Sequence, residues 1–186
     1  TGRIKCIPVN KIPSNNSRKP LLPSMSSDEF IVSALEVRND SEDIMIFTKD
    51  GLGKRILLTD LNITTSVDAI GQYILKDYEV AGMFKINPNR QMMLYVTELG
   101  RIRLNNMKYL STQKKFGAPK QIIKLSDRDT LLNVLCVNDD DTVLLYHADS
   151  RTSSIVVNSI PVSTFSQEPV RPKHVPAVKV IRATII

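Results

Sequence analysis

GLGKRILLTDL, residues 51–61, is one of four copies of an eleven-residue stretch in this chain. The others are GRIKCIPVNKI at 2–12, GRIRLNNMKYL at 100–110 and SRTSSIVVNSI at 150–160, so the first residues lie 49, 49 and 50 positions apart. Three copies begin with Gly, three carry a base at the fourth position (Lys5, Lys54, Arg103), and all four close on Ile or Leu. Self-similarity at such an interval means that one supersecondary unit is reused, so the fold is read from the unit.

Ahead of three copies stands an apolar run that ends in a turn: IMIFTKDG at 44–51, MLYVTELG at 93–100 and LLYHADS at 144–150. Thr48, Thr97 and His147 hold equivalent places. Ile, Val, Phe and Tyr at this density favour a pleated strand over a helix, whose apolar residues would recur every three or four positions. Each copy therefore reads as the second strand of a β-hairpin. Gly51 and Gly100 supply the backbone freedom of the turn. Asp149 and Ser150 must replace it with side-chain hydrogen bonds, so the fourth turn is expected to differ.

A further apolar run precedes each hairpin, FIVSALEV at 30–37, VAGMFKI at 80–86 and LLNVLCV at 131–137, and VKVIRATII at 178–186 closes the chain. Ala34, Met83 and Leu132 repeat at the same spacing of 49. Residues 72–75 and 121–125 offer a fourth strand per unit, with an amphipathic helix over 67–75 as the alternative for the first of these. Residues 11–29, rich in Ser, Asn and Pro, read as an exposed loop. The expected fold is all-β: a propeller-like repeat of about four four-stranded blades in an open or truncated ring, with residues 1–186 as one domain. A β-sandwich of unrelated hairpins is the competitor, but it does not account for fixed offsets and shared turn chemistry.

Bulk properties narrow the function. The 186 residues are 42% hydrophobic, enough for a sizeable core. No stretch has the length of a membrane span, and no signal-peptide pattern is present. Thr1 is not a start residue, so the stretch is expected to come from a longer chain, with any signal or catalytic domain outside it. Cys6 and Cys136 fit buried thiols in a reducing compartment rather than a disulfide framework. Lys and Arg exceed Asp and Glu by 25 to 19, a net charge of +6 that suits a polyanion partner without requiring one.

The placement of the bases is more informative than their number. Arg3 and Lys5, Lys54 and Arg55, Arg101 and Arg103, and Arg151 all fall at or just after a hairpin turn. Units arranged about an axis would turn these positions into a periodic band along which duplex phosphates are neutralised. Loop bases Arg18, Lys19, Lys114, Lys115 and Lys120 would extend the band. No recognition helix or zinc-finger spacing points to reading of base edges. Asp139, Asp140 and Asp141 mark an acidic bend, so the basic surface should not surround the molecule. Phe47, Tyr95 and Tyr146 lie in apolar strands and read as core, and Phe116, set among bases, is expected to pack onto its blade.

At this point the chain resembles the C-terminal domain of the A subunit of bacterial type IIA DNA topoisomerases, gyrase and topoisomerase IV. The match is an apolar strand followed by Thr, two variable residues, Gly and then a basic residue in a second strand, carried by IFTKDGLGKRILL (46–58) and YVTELGRIRL (95–104). Residues 2–9 supply half of another copy, while LYHADSRTSSIVV (145–157) has lost the Thr, the Gly and the central base. The resemblance implies a β-pinwheel whose blades exchange strands, and whose outer basic rim binds and bends double-stranded DNA. It implies as partners the catalytic core of the same A subunit and the ATPase B subunit. ATP and Mg would serve the holoenzyme, with no cofactor or metal in this domain, and the setting would be cytoplasmic, at the bacterial nucleoid. QKKFGAPK (113–120) is the stretch most like gyrase's basic, glycine-rich box, but Phe116, Ala118 and Pro119 interrupt it, which tilts the resemblance toward topoisomerase IV or a divergent gyrase.

Catalytic readings are weak. His147 and His174 are the only histidines, and with two distant cysteines they give no metal-ligand spacing. The tyrosine that cuts DNA in type IIA enzymes belongs to the breakage-reunion domain, and Tyr73, Tyr78, Tyr95, Tyr109 and Tyr146 all lie within the repeat. The other class of function is a propeller-like protein-interaction module that binds a peptide or partner subunit through an apolar face.

Overall fold

The computed structural model describes residues 2–12, 22, 25–38, 42–61, 66, 70–164 and 167–186. Twelve strands stand in chain order: β1 (Gly2–Ile4), β2 (Asp43–Thr48), β3 (Leu52–Leu57), β4 (Gln72–Leu75), β5 (Val80–Lys85), β6 (Met92–Thr97), β7 (Ile102–Asn106), β8 (Lys120–Gln121), β9 (Leu131–Val137), β10 (Thr142–His147), β11 (Thr152–Val156) and β12 (Val180–Ile185). They form four small sheets, β1-β4, β5-β2-β3-β8, β9-β6-β7 and β12-β10-β11, with antiparallel pairing throughout. The hairpins fall where the copies place them. Each copy also ends in a single 3-10 turn at the same offset, Val9–Lys11, Leu58–Asp60, Met107–Tyr109 and Val157–Ser159. The closing Ile or Leu seals that turn by donating its N–H to the turn's first carbonyl, at 3.1, 3.0, 2.9 and 3.0 Å for Ile12, Leu61, Leu110 and Ile160.

Blades are not contiguous in sequence. Strand β8 follows the β6–β7 hairpin in the chain yet pairs with β3, and Val170, 50 residues after Lys120, makes the corresponding bridge to Ile102 of β7. Each of these two hairpins is thus completed by a segment that crosses back from the next unit. The 72–75 strand is present as β4, paired with β1, so the helical alternative is set aside. The 121–125 strand contracts to Lys120–Gln121. The run 30–37 forms no strand at all. Phe30, Ile31 and Val32 are accordingly exposed, while Leu35 and Val37 pack against their neighbours.

The core consists of three apolar layers between successive sheets. Alternation along one strand sends side chains into two of them: Ile44 and Ile46 of β2 face the β1-β4 sheet, Met45 and Phe47 the β6 sheet. In β6, Met93 and Tyr95 face back toward β2 while Met92, Leu94 and Val96 face β10. Burial on both faces is why IMIF and MMLYV read as unbroken apolar runs. Strand β10 packs on one face only and keeps the alternating half-buried pattern of a sheet with a wet side.

The repeated base enters this core. Lys54 pairs across the strand with Ile46, and Arg103 with Tyr95, so register turns both toward the preceding sheet. Lys54 is 0% and Arg103 1% exposed. Lys54 Nζ donates to the Lys115 carbonyl, 61 residues on. Arg103 donates to the carbonyls of Gln167, 64 residues on at 3.0 Å, and of Ile122, while its Nε reaches Asn105 Oδ1 at 2.8 Å and its guanidinium lies 5.2 Å from the Tyr95 ring centroid. Burial pushes the pKa of both bases down and that of the Tyr95 phenol up. Backbone oxygens in the crossing segments are the compensation for buried charge.

At the turns, Gly51 and Gly100 have φ of +85° and +71°, and Ser150 keeps the same left-handed conformation at +69°. The fourth turn therefore does not change shape, contrary to the expectation from its residues. What changes is the acceptor that braces it: Leu52 and Arg101 donate their N–H groups to Thr48 and Thr97 Oγ1, both at 3.1 Å, whereas Arg151 N–H goes to Asp149 Oδ1 at 3.2 Å. No helix of the described residues is long and apolar enough to cross a membrane.

Ser150→Gly relieves left-handed strain and should stabilise the chain by about 0.5 kcal/mol after the entropy of the unfolded glycine is counted. A Cβ on Gly51 would meet the Ile123 carbonyl at 2.6 Å. Gly51→Ala should therefore cost about 3 kcal/mol. Urea unfolding of the two variants checks the pair, and equal effects would contradict the shared turn geometry. In Arg103→Met the Ile122 and Gln167 carbonyls lose their donor, and a loss of about 2 kcal/mol is expected, with faster amide exchange in both segments. Unchanged stability and exchange would show that the clamp carries nothing.

Candidate nucleic-acid interface

The band expected from the repeat loses two members. Lys54 and Arg103 were read as lying on an exposed rim, but both are enclosed and offer no surface to a phosphate. The reason is strand register, which the spacing of the copies does not reveal. The same reading applied to Arg55 put it beside Lys54 on the rim. One residue on, Arg55 points to the opposite face, where Nε contacts Asp43 at 2.7 Å and Nη1 donates to the Leu110 carbonyl at 3.1 Å.

Other bases at the turns are engaged locally. Arg3 pairs with Glu29 and lies 5.6 Å from the Tyr73 ring centroid. Lys5 is half-buried. Arg101 donates to Ser126 Oγ at 2.5 Å and remains partly accessible. Arg151 is exposed and pairs at 2.6 Å with Asp149, two residues before it. Arg18 and Lys19 lie outside the described residues.

The segment 111–120 is different. Lys114 and Lys120 are exposed and Lys115 is partly so, and among the described residues no carboxylate pairs with any of the three. The loop is nevertheless tightly held. Gln113 N–H donates to the Arg55 carbonyl at 2.7 Å, and Gln113 Nε2 spans the loop to the Ala118 carbonyl at 2.5 Å. Gly117 N–H closes a turn on the Lys114 carbonyl at 2.9 Å, and Lys120 Nζ reaches Ser111 Oγ at 3.3 Å. Lys54 fixes the Lys115 carbonyl from inside. Phe116 at the tip is 88% exposed, with Lys115 Nζ 5.0 Å from its ring centroid. The expectation that Phe116 packs onto its blade is thus overturned: with the preceding carbonyl turned inward, the ring is carried outward.

One base escaped the sequence reading. Lys108 follows β7 in its 3-10 turn, is exposed, lies over the Tyr109 ring at 5.2 Å, and lines a cleft with Arg55, Lys85 and Arg90. Its signal in the sequence is faint, a single Lys in the closing part of the third copy. Glu42 and Asp43 line the same cleft, and Lys85–Glu42 (3.1 Å) and Arg55–Asp43 pairs neutralise much of it. The acidic bend adjoins the cleft through Arg90, which pairs with Asp141, while Asp139 and Asp140 are exposed.

His147 is buried, with Nδ1 3.3 Å from the Val178 carbonyl and Nε2 2.9 Å from Ser153 Oγ. Since a carbonyl only accepts, Nδ1 carries the proton and Nε2 accepts from the hydroxyl. His147 and Ser153 thereby replace, as a bonded pair, the Thr and the base of the other copies. Cys6 and Cys136 are unbridged, and burial pushes the Cys136 thiol up.

Comparisons with known proteins follow this geometry. The model of the DNA gyrase C-terminal domain family, a beta-propeller, matches residues 42–67 and 110–138. These segments are distant in sequence, but the first holds β2 and β3 and the second holds β8, which completes their sheet. No curated protein gave a sequence match. Among solved structures, the C-terminal domain of DNA topoisomerase IV superposes with a TM-score of 0.68 at 14% identity, over 79% of this chain and 47% of that one. The E. coli ParC C-terminal domain gives 0.60 at 12% identity, over 80% and 64%, and a DNA gyrase A C-terminal domain 0.50 at 11%, over 87% and 72%. At these identities the likeness is one of fold, and the chain spans about half the length of the first structure and under two thirds of the second. By two sequence segments that meet in one blade, and by fold along most of its length, the chain resembles the C-terminal domain of the A subunit of type IIA DNA topoisomerases and shares its β-pinwheel architecture.

Proposed function

We propose that residues 1–186 form one non-catalytic module that binds duplex DNA, bends it and presents a segment to a breakage-reunion core carried elsewhere. The observation that carries this reading is the loop 111–120: three lysines without a carboxylate partner among the described residues, on a backbone held by four hydrogen bonds. Most other bases in the expected band are engaged within the protein. Lysines fixed in place neutralise phosphates with little ordering cost, and they need no base code. Arg101 and Arg151 lie at hairpin turns of other blades and extend the contact, so a duplex that meets more than one blade must curve. That curvature is the basis for bending in this reading. The family likeness supports the same partner, and it makes the A-subunit core, the ATPase B subunit, the ATP and Mg of the holoenzyme and a cytoplasmic, nucleoid setting parts of the proposal.

A second reading, a protein-interaction module, has one observation in its favour. Phe30, Ile31 and Val32 are exposed in a segment that reads as a strand and pairs with none. Such an edge can accept a strand from a partner.

Binding of a duplex of about 40 base pairs, followed by fluorescence anisotropy across a salt series, separates the two. Lys114, Lys115 and Lys120 changed together to Ala should flatten the slope of log K against log salt by about 2 to 3, given a contribution near 0.9 per phosphate contact. Affinity should drop more than about tenfold near 0.1 M salt. Arg3→Ala, which breaks the internal contacts with Glu29 and Tyr73, should leave the slope unaltered. A triple variant that binds as the parent does would remove the loop from the interface, and absence of salt-dependent binding by the parent would remove the function.

A further inference from the structure

The exposed ring at the tip of the basic loop has no role in charge neutralisation, and the fold makes no use of it. Phe116 is 88% exposed, more than Phe30 at 73%, whereas Phe47 of β2 and Phe84 of β5 pack against each other at 6.3 Å between centroids. It occupies the outermost corner of the turn closed by Gly117 N–H on the Lys114 carbonyl. Lys114 and Lys115 directly precede it and Lys120 follows four residues on, and Lys115 Nζ lies over one ring face. A large apolar side chain held out in water among lysines gains nothing from the folded state itself.

Resting on the DNA-binding reading, we propose that Phe116 is an apolar wedge that the loop drives against a base-pair step of the bound duplex, partly unstacking it and fixing where the DNA kinks. Proteins that kink DNA insert Phe, Leu, Ile or Met in this way, and the unstacking is offset by the wider contact that bent DNA makes. A wedge must not swing aside under load. Here the carbonyl directly before Phe116 is fixed by the buried Lys54 ammonium, and Gln113 ties both ends of the loop to β3 and to Ala118. Lys114, Lys115 and Lys120 bring the phosphates of the same duplex to the tip. The ring needs no particular base, because every step presents apolar base faces once opened.

The test uses the whole chain and two duplexes of about 40 base pairs, one fully paired and one with a central mismatch, which lowers the cost of opening a step. The parent should prefer the mismatched duplex by about fivefold and bring the labelled ends of the DNA closer in energy transfer. Phe116→Ala, which removes no packing, should lose the preference and most of the end-to-end approach, while the salt slope stays that of the parent. Phe116→Leu should restore both in part. A Phe116→Ala variant that bends DNA and prefers the mismatch as the parent does would overturn the wedge and leave DNA binding intact. A parent chain with no salt-dependent binding would overturn the DNA reading and the wedge with it.

Discussion

A buried cation bonded to backbone oxygen is the constraint on which the rest of this structure depends. Lys54 and Arg103 leave the face of their strands, pass through an apolar layer and end on carbonyls of segments more than sixty residues further along the chain. Buried charge is compensated there by fixed oxygens, the Lys115 carbonyl for Lys54 and the Gln167 and Ile122 carbonyls for Arg103, and those oxygens belong to the segments that complete the blades. The base and the strand exchange therefore require each other. Removing the base leaves buried carbonyls without a donor, and removing the crossing segment leaves a buried charge without an acceptor.

The fourth copy bears this out from the other side. Its base position is Ser153 and its Thr position His147, and the two bond to each other at 2.9 Å. No crossing segment of the described residues pairs with β11, and the carbonyl that His147 meets is that of Val178, just ahead of β12. The outward face of β10 is half-buried and carries Leu144 and Tyr146, the latter beneath Arg182 at 5.7 Å. The apparent decay of the motif is thus a consistent local solution, in which the left-handed turn survives at Ser150 although its glycine is gone.

Much of the fold was legible because the repeat fixes offsets. Hairpins at 44–58 and 93–104, the strands 80–86 and 131–137, and the short strand at 72–75 follow from apolar patterning and turn glycines at a constant interval. What patterning lacks is a sense of direction within a strand. Whether the fourth residue of a copy points to water or to the preceding sheet depends on register against β2 and β6, and so two of the bases assigned to the surface are interior. The run 30–37 failed for a different reason: its composition is that of a strand, but a strand exists only through its neighbour. In the loop 113–120 the charged residues were legible as a cluster, whereas the outward ring of Phe116 was not, because its direction is set by Lys54, a residue sixty positions earlier in a different unit.

The central claim is that this chain meets its partner through the anchored basic loop. Titration of an isotopically labelled sample with a duplex of about 40 base pairs, followed by amide chemical shifts, addresses it residue by residue. The account predicts that shifts concentrate in residues 113–120, extend to Arg101 and Arg151, and leave the acidic bend at 138–141 and the edge at 30–37 unmoved. Shifts confined to 30–37, or to the cleft beside Glu42 and Asp43 with the loop silent, would contradict it.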